Sequence, residues 1–186
     1  MNSEYRYLDE LTERYPVLAP VRRDIEAVYE MLKNCFAGGG KLLIAGNGGS
    51  CADAEHIVGE LMKGFVKRRP VTEEMKEALE KADPVRGKEL SEKLQAPSGH
   101  CPCGPCRSFH GLCQRCGRDA FLRPAGQRLR KARGRILGIS TSGNAENVMY
   151  AAVTAKAKGM KVVGLTGKDG GKLAGIADAA SLSRKW

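Results

Sequence analysis

His56 and Glu60 stand four residues apart, a spacing that on a helix puts an imidazole and a carboxylate one turn above each other on one face. Such a pair can hold a metal ion or pass protons, and it is equally the spacing of an ordinary surface ion pair. Ten residues earlier lies Gly46-Asn47-Gly48-Gly49-Ser50, directly after the apolar run Leu42-Leu43-Ile44-Ala45. A glycine-rich turn from a strand into a helix offers free backbone N–H groups and the positive end of the helix dipole, both suited to an anion, and glycine lets the backbone approach a ligand closely. Read alone, the same residues are a tight strand-to-helix turn.

A second stretch repeats the arrangement. Ser140-Thr141-Ser142-Gly143-Asn144 follows Ile136-Leu137-Gly138-Ile139 and precedes a helical pattern, adding three hydroxyls to the backbone donors. These hydroxyls suit either a phosphate or the cap of the following helix. Two such loops at strand ends define a crevice, and open α/β sheets bind ligands beyond the carboxyl ends of their strands, so a small phosphorylated molecule is the expected ligand.

The elements that must position these groups alternate. Apolar residues from Leu8 to Leu32 recur every three or four positions, broken near Pro16 and Pro20, which predicts one or two amphipathic helices. Gly38 to Gly40 end them, Lys41–Ala45 reads as a buried parallel strand, and Cys51–Phe65 returns to helical spacing. Residues 66–95 form a charged helical excursion with Pro84 as a break. After residue 135, the strand at Ile136–Ile139, a helix from about Ala145 to Lys158 and a strand over Lys161–Leu165 resume the alternation, as in βαβ units. The expectation is one domain over residues 1–186: an α/β, flavodoxin-like, three-layer parallel sheet.

The chain has 186 residues and a formal charge of +10, but the charge is local. Between Ala96 and Arg135 stand eight arginines and Lys131 against the single acid Asp119, while the rest resembles an ordinary enzyme surface. Five of the seven cysteines, Cys101, Cys103, Cys106, Cys113 and Cys116, fall in the same segment. An odd number of cysteines argues against a disulfide framework, and no apolar run reaches membrane-spanning length. The first 30 residues carry acids where a signal peptide would be basic and then apolar, so the expected location is the cytoplasm.

Three motifs then become specific. GNGGSCADAEHIVGEL from Gly46, GISTSGNAENV from Gly138 and GLTGKDGGKLAGIAD from Gly164 resemble the phosphoheptose isomerases of the sugar isomerase (SIS) family, in the family's order. The resemblance covers Met1 to about Leu94 and Ile136 to about Asp178. It implies an aldose–ketose isomerase of sedoheptulose 7-phosphate in which Asn47, Gly48, Gly49 and Ser50 contact substrate and Ser140, Thr141 and Ser142 hold its phosphate. It further implies that His56 and Glu60 bind a metal, typically zinc, and that Glu60 is the general base. By the same resemblance the protein would be a homotetramer supplying a heptose precursor for lipopolysaccharide core, capsule or glycoprotein, with Cys51 only a small helix residue.

The departures are as specific. Ala145 stands where the family has a further serine, no histidine follows His110, and the family's last helix, with its glutamine and histidine, is expected to be missing beyond Trp186. Ala96–Arg135 occupies the place of a family strand and helix whose Asp and Asn contact substrate. Back-translated and read one base later, this segment can be written to give the family pattern and to run directly into Ile136, and Arg, Cys, Gly and Pro are what out-of-frame GC-rich DNA commonly encodes. The first expectation is therefore a frame-shifted segment, a remodelled central strand that exposes two sheet edges, and little or no isomerase activity. A rival reading takes Cys103-x-x-Cys106 and Cys113-x-x-Cys116 as a zinc site with an arginine-rich nucleic-acid patch, although six residues between the pairs is short for a zinc module. A third makes the chain a non-catalytic SIS-domain binding protein similar to the DnaA initiator-associating protein. Retention of both His56 and Glu60 favours the enzyme, and binding to nucleic acid is not expected.

Overall fold

The computed structural model describes residues 5–62, 70–94, 107–108, 134–167 and 169–183. Helix α1 (Arg6–Arg14), a 3-10 turn (Pro16–Val21) and α2 (Arg22–Ala37) lead into strand β1 (Leu42–Ala45). The prolines act as their chemistry requires: Pro16 opens the 3-10 turn at a position where its missing N–H costs nothing, and α2 restarts after Pro20. Helix α3 (Gly49–Met62), the helix pair α4 (Glu73–Ala82) and α5 (Pro84–Lys93), and the two-residue strand β2 (Arg107–Ser108) follow. Then come β3 (Arg135–Ser140), α6 (Glu146–Ala157), β4 (Lys161–Gly167), α7 (Gly171–Ile176) and β5 (Ala179–Ser183).

All strand pairs are parallel and the order is β2-β1-β3-β4-β5. This is the doubly wound, flavodoxin-like order anticipated from the alternation of helix and strand. Because successive side chains point to opposite faces, each buried strand feeds two cores. On one face Leu42, Ile44, Leu137, Ile139 and Val163 meet α2 and α3 through Val28, Leu32, Phe36, Ala54 and Ile57. On the other, Leu43, Ile136 and Val162 meet α6 and α7 through Val148, Ala151, Ala152, Ala155 and Leu173. Ile44, Val162 and Val163 are at most 1% exposed, and removing each from water stabilises the fold by about 1.5–3 kcal/mol. The small alanines of α6 let that helix lie close to the sheet.

One expectation is corrected by the topology. Among the described residues, the strand contributed by the anomalous segment, β2, stands at the end of the sheet order, paired with β1 alone, and not in the middle. On its other side β1 is paired along its whole length with β3. The CxxC pairs and all the clustered arginines other than Arg107 and Arg135 lie outside the described residues. Within 66–95, α4 and α5 pack on one another, and Gly87 allows the contact because a β-carbon there would sit 2.2 Å from the Leu79 carbonyl oxygen. Thr72 and Asp83 cap the two helices, accepting hydrogen bonds from Met75 N–H and from Val85 and Arg86 N–H. Among the described residues no helix is long and apolar enough to cross a membrane.

Candidate active site

The register of β1 and β3 makes the site. Ala45 is opposite Gly138, so the loops leaving the two strands emerge side by side at the carboxyl end of the sheet. In the first, Gly48 adopts φ +51°, open space surrounds both Gly48 and Gly49, and the Gly48 carbonyl accepts the first-turn N–H groups of Cys51 and Ala52. Among the described residues nothing lies within 4 Å of a β-carbon built on either glycine, whereas one on Gly46 would meet the Ser50 carbonyl oxygen at 2.6 Å.

The second loop is tied to a third. Gly143 N–H donates to the Ser140 carbonyl to close the turn, and Gly143 carbonyl accepts from Leu173 N–H. Asn144 donates to the Ser142 carbonyl at 2.9 Å and accepts from Lys172 N–H at 3.1 Å. Gly167 N–H reaches the Thr141 carbonyl, so the end of β4 holds the loop from beneath. Ser140 is buried, whereas Thr141 and Ser142 are exposed. The capping alternative is not what these hydroxyls do: Ala145 is the N-cap of α6 and supplies no side-chain hydrogen bond, and the Ser142 hydroxyl accepts from Asn144 N–H within the loop.

Two site features escaped the sequence reading. Asn47 and Asn147 face each other across the two loops and exchange hydrogen bonds, Asn47 Nδ2 to Asn147 Oδ1 at 2.8 Å and Asn147 Nδ2 to Asn47 Oδ1 at 2.6 Å. Thr166, opposite Ser140 in the β3–β4 register, is 3% exposed, and its hydroxyl has no hydrogen-bond partner among the described residues. The signal for Asn147, a polar residue in the first turn of a helix that begins at a loop, is too common to single it out from sequence.

His56 and Glu60 lie on α3 as the spacing required, with Nε2 and Oε1 3.7 Å apart; the histidine side chain is 77% exposed and the glutamate 38%. Zinc takes three or four protein ligands, and among the described residues no group of three or more His, Cys, Asp or Glu side chains converges. Among the described residues the pair thus supplies two donors of an incomplete set. Cys51, at the start of the same helix, is buried, and burial followed by repulsion from Glu55 raises its thiol pKa above the ordinary 9.0. That environment makes a poor nucleophile and fits a packing role.

A doubly wound sheet with glycine and hydroxyl loops at the ends of adjacent strands defines a sugar-phosphate-binding α/β domain, and the SIS domain family matches residues 6–95. The match stops one residue before the Cys/Arg-rich segment. Phosphoheptose isomerase of Aeromonas hydrophila is 36% identical over 176 residues, an alignment covering 91% of this chain and 78% of the relative. The enzyme of Escherichia coli is 36% identical over 180 residues with the same coverage. Phosphoheptose isomerase GmhA from Neisseria gonorrhoeae has the same fold, with a TM-score of 0.53 and 25% identity over 97% of this chain and 84% of its own. The chain belongs to the phosphoheptose isomerase family.

Proposed function

We propose that this chain binds sedoheptulose 7-phosphate and descends from an enzyme that interconverts it with glycero-manno-heptose 7-phosphate. The observation that carries the reading is the β1–β3 register, which sets a glycine loop beside a hydroxyl loop at the mouth of the helix bearing His56 and Glu60. Ser140, Thr141 and Ser142 would hold the phosphate, and Asn47, Gly48, Gly49 and Ser50 the sugar. Glu60 would take a proton from the carbon beside the carbonyl and return it to the neighbouring carbon through an enediol, a carboxylate task that needs only reach and a suitable pKa. By the family resemblance His56 and Glu60 would be the two residues of this chain that hold zinc, whose chemistry when bound is to polarise a carbonyl. A homotetramer in the cytoplasm is the assembly and location that go with this reading.

Turnover by this chain is expected to be low. Ala96–Arg135 stands where the family resemblance puts substrate-contacting Asp and Asn, and the frame-shift reading of that segment, supported by the end of the SIS match at residue 95, predicts their loss. Calorimetric titration of the purified chain with sedoheptulose 7-phosphate, with sedoheptulose as control, tests binding; prolonged incubation at high protein concentration tests turnover. Phosphate-dependent binding with little or no isomerisation is the expected result. Absence of binding overturns the functional reading, and turnover at the rate of an intact family member overturns the impairment. Translation of the encoding DNA across codons 93–138 in all three forward frames decides the frame shift: a shifted frame without the family pattern refutes it.

A further inference from the structure

The amides of Asn47 and Asn147 join residues one hundred positions apart, across the two loops that the previous reading assigns to substrate. A carboxamide can flip at little cost, and which way it faces is settled by its partners. Asn147 is settled by its own helix: Oδ1 accepts the backbone N–H of Val148 at 3.0 Å, one of the first-turn donors that α6 cannot satisfy internally. With Oδ1 so engaged, Nδ2 must donate, and its acceptor is Asn47 Oδ1. Asn47 in turn has only one orientation in which both bonds form. This leaves one of its N–H groups and one lone pair of its oxygen for a ligand. Asn47 is half-buried.

We infer that Asn147 is a positioning residue for sugar recognition, fixing the orientation of the Asn47 carboxamide by relaying the direction of the α6 N-terminal backbone across the cleft. The inference rests on the reading of Asn47 as a sugar contact. It assigns to Asn147 no contact with the phosphate, which the second loop holds independently. Loss of Asn147 should therefore weaken binding of the sugar phosphate and spare binding of inorganic phosphate. Its effect should vanish when Asn47 is already gone, as expected of two residues acting as one unit.

The test uses the full chain and the variants Asn147→Ala, Asn147→Asp, Asn47→Ala and the Asn47→Ala/Asn147→Ala pair. Asn147→Asp keeps an acceptor for Val148 N–H and adds a negative charge that favours a helix N-terminus, so α6 is at least as well capped while the donor to Asn47 is lost. Side-chain amide resonances of Asn47 report its orientation without any ligand, and calorimetry with sedoheptulose 7-phosphate and with inorganic phosphate reports binding. The inference predicts shifted Asn47 amide resonances in both single Asn147 variants. It also predicts a roughly 5–30-fold loss of sugar-phosphate affinity for Asn147→Ala, corresponding to one lost bond of ordinary strength. Phosphate affinity should change less than about twofold, and the double variant should bind no more weakly than Asn47→Ala.

Unmoved Asn47 resonances in Asn147→Ala, or additive losses, would overturn it. If the unmodified chain binds inorganic phosphate but no sugar phosphate, the functional reading falls and the positioning role with it. If sugar phosphate binds and Asn147→Ala leaves it unchanged, only the positioning role falls.

Discussion

A β-carbon placed on Gly143 would lie 1.9 Å from the backbone carbonyl oxygen of Gly170. The hydroxyl loop and the loop after β4 are therefore in backbone contact, and the contact tolerates no side chain. Gly143 also sits at φ +68°, where L-residues are strained. Gly143→Ala should accordingly destabilise the protein by about 2–4 kcal/mol, since the clash is with backbone that cannot swing away. Gly48, at φ +51° with nothing within 4 Å, makes the contrast: Gly48→Ala should cost only about 1–2 kcal/mol. Urea denaturation of both variants measures the difference. Equal costs would mean that the second and third loops part easily.

Thr166 presents the opposite case, a polar group kept where it stabilises nothing. Its buried hydroxyl has no partner among the described residues, and a buried unsatisfied hydroxyl typically costs about 1–3 kcal/mol. Thr166→Val should thus raise the unfolding free energy by about 1 kcal/mol. Destabilisation instead would reveal a hydrogen bond to ordered water or to the Ser140 side of the loop. The same variant titrated with inorganic phosphate shows whether the stability given up at this position serves anion binding at the hydroxyl loop.

Asp178 ties the start of β5 to the start of β4. Its carboxylate accepts Val162 N–H at 2.8 Å and Lys161 Nζ at 3.1 Å, with Lys156 Nζ at 3.9 Å. Burial alone would raise its pKa, but the Val162 N–H and the two lysines outweigh burial and hold it below the ordinary 3.8. A carboxylate whose folded pKa is depressed contributes stability that is present above its unfolded pKa and lost as pH falls through the folded value. Asp178→Ala should therefore cost about 1–2 kcal/mol near neutrality and progressively less in acid below pH of about 4. Denaturation curves at several pH values decide it. A cost that stays constant into acid would place the effect in packing rather than in charge.

Much of this architecture is legible in the residues, for identifiable reasons. β1, β3 and β4 are consecutive apolar runs buried on both faces, and Pro16 and Pro20 mark the break between α1 and α2 as prolines must. β5 could not be read: Ala179-Ala180-Ser181-Leu182-Ser183 carries no strand pattern, and it is a strand because β4 offers a parallel edge and α2 packs against it. The edge position of β2 was equally hidden, because strand order is a property of the assembled sheet. In the site, the glycine and hydroxyl loops announce themselves by composition. Asn147 and Thr166 become site residues only once the β1–β3 and β3–β4 registers bring distant segments together.

His56 separates a structural from a chemical role for the α3 pair. Its side chain is 77% exposed and 3.7 Å from Glu60, a geometry in which ion pairs contribute little to folding. His56→Ala should change the unfolding free energy by no more than about 0.5 kcal/mol, the usual range for an open surface position. If the pair belongs to a metal site, the same substitution should lower the zinc retained by the purified chain after dialysis against a weak chelator, and Glu60→Gln should lower it as well. Equal zinc content in the unmodified chain and both variants, with stability unchanged, would reduce the pair to surface chemistry. Glu60 would then have to act on the sugar, if it acts at all, as a carboxylate without a metal beside it.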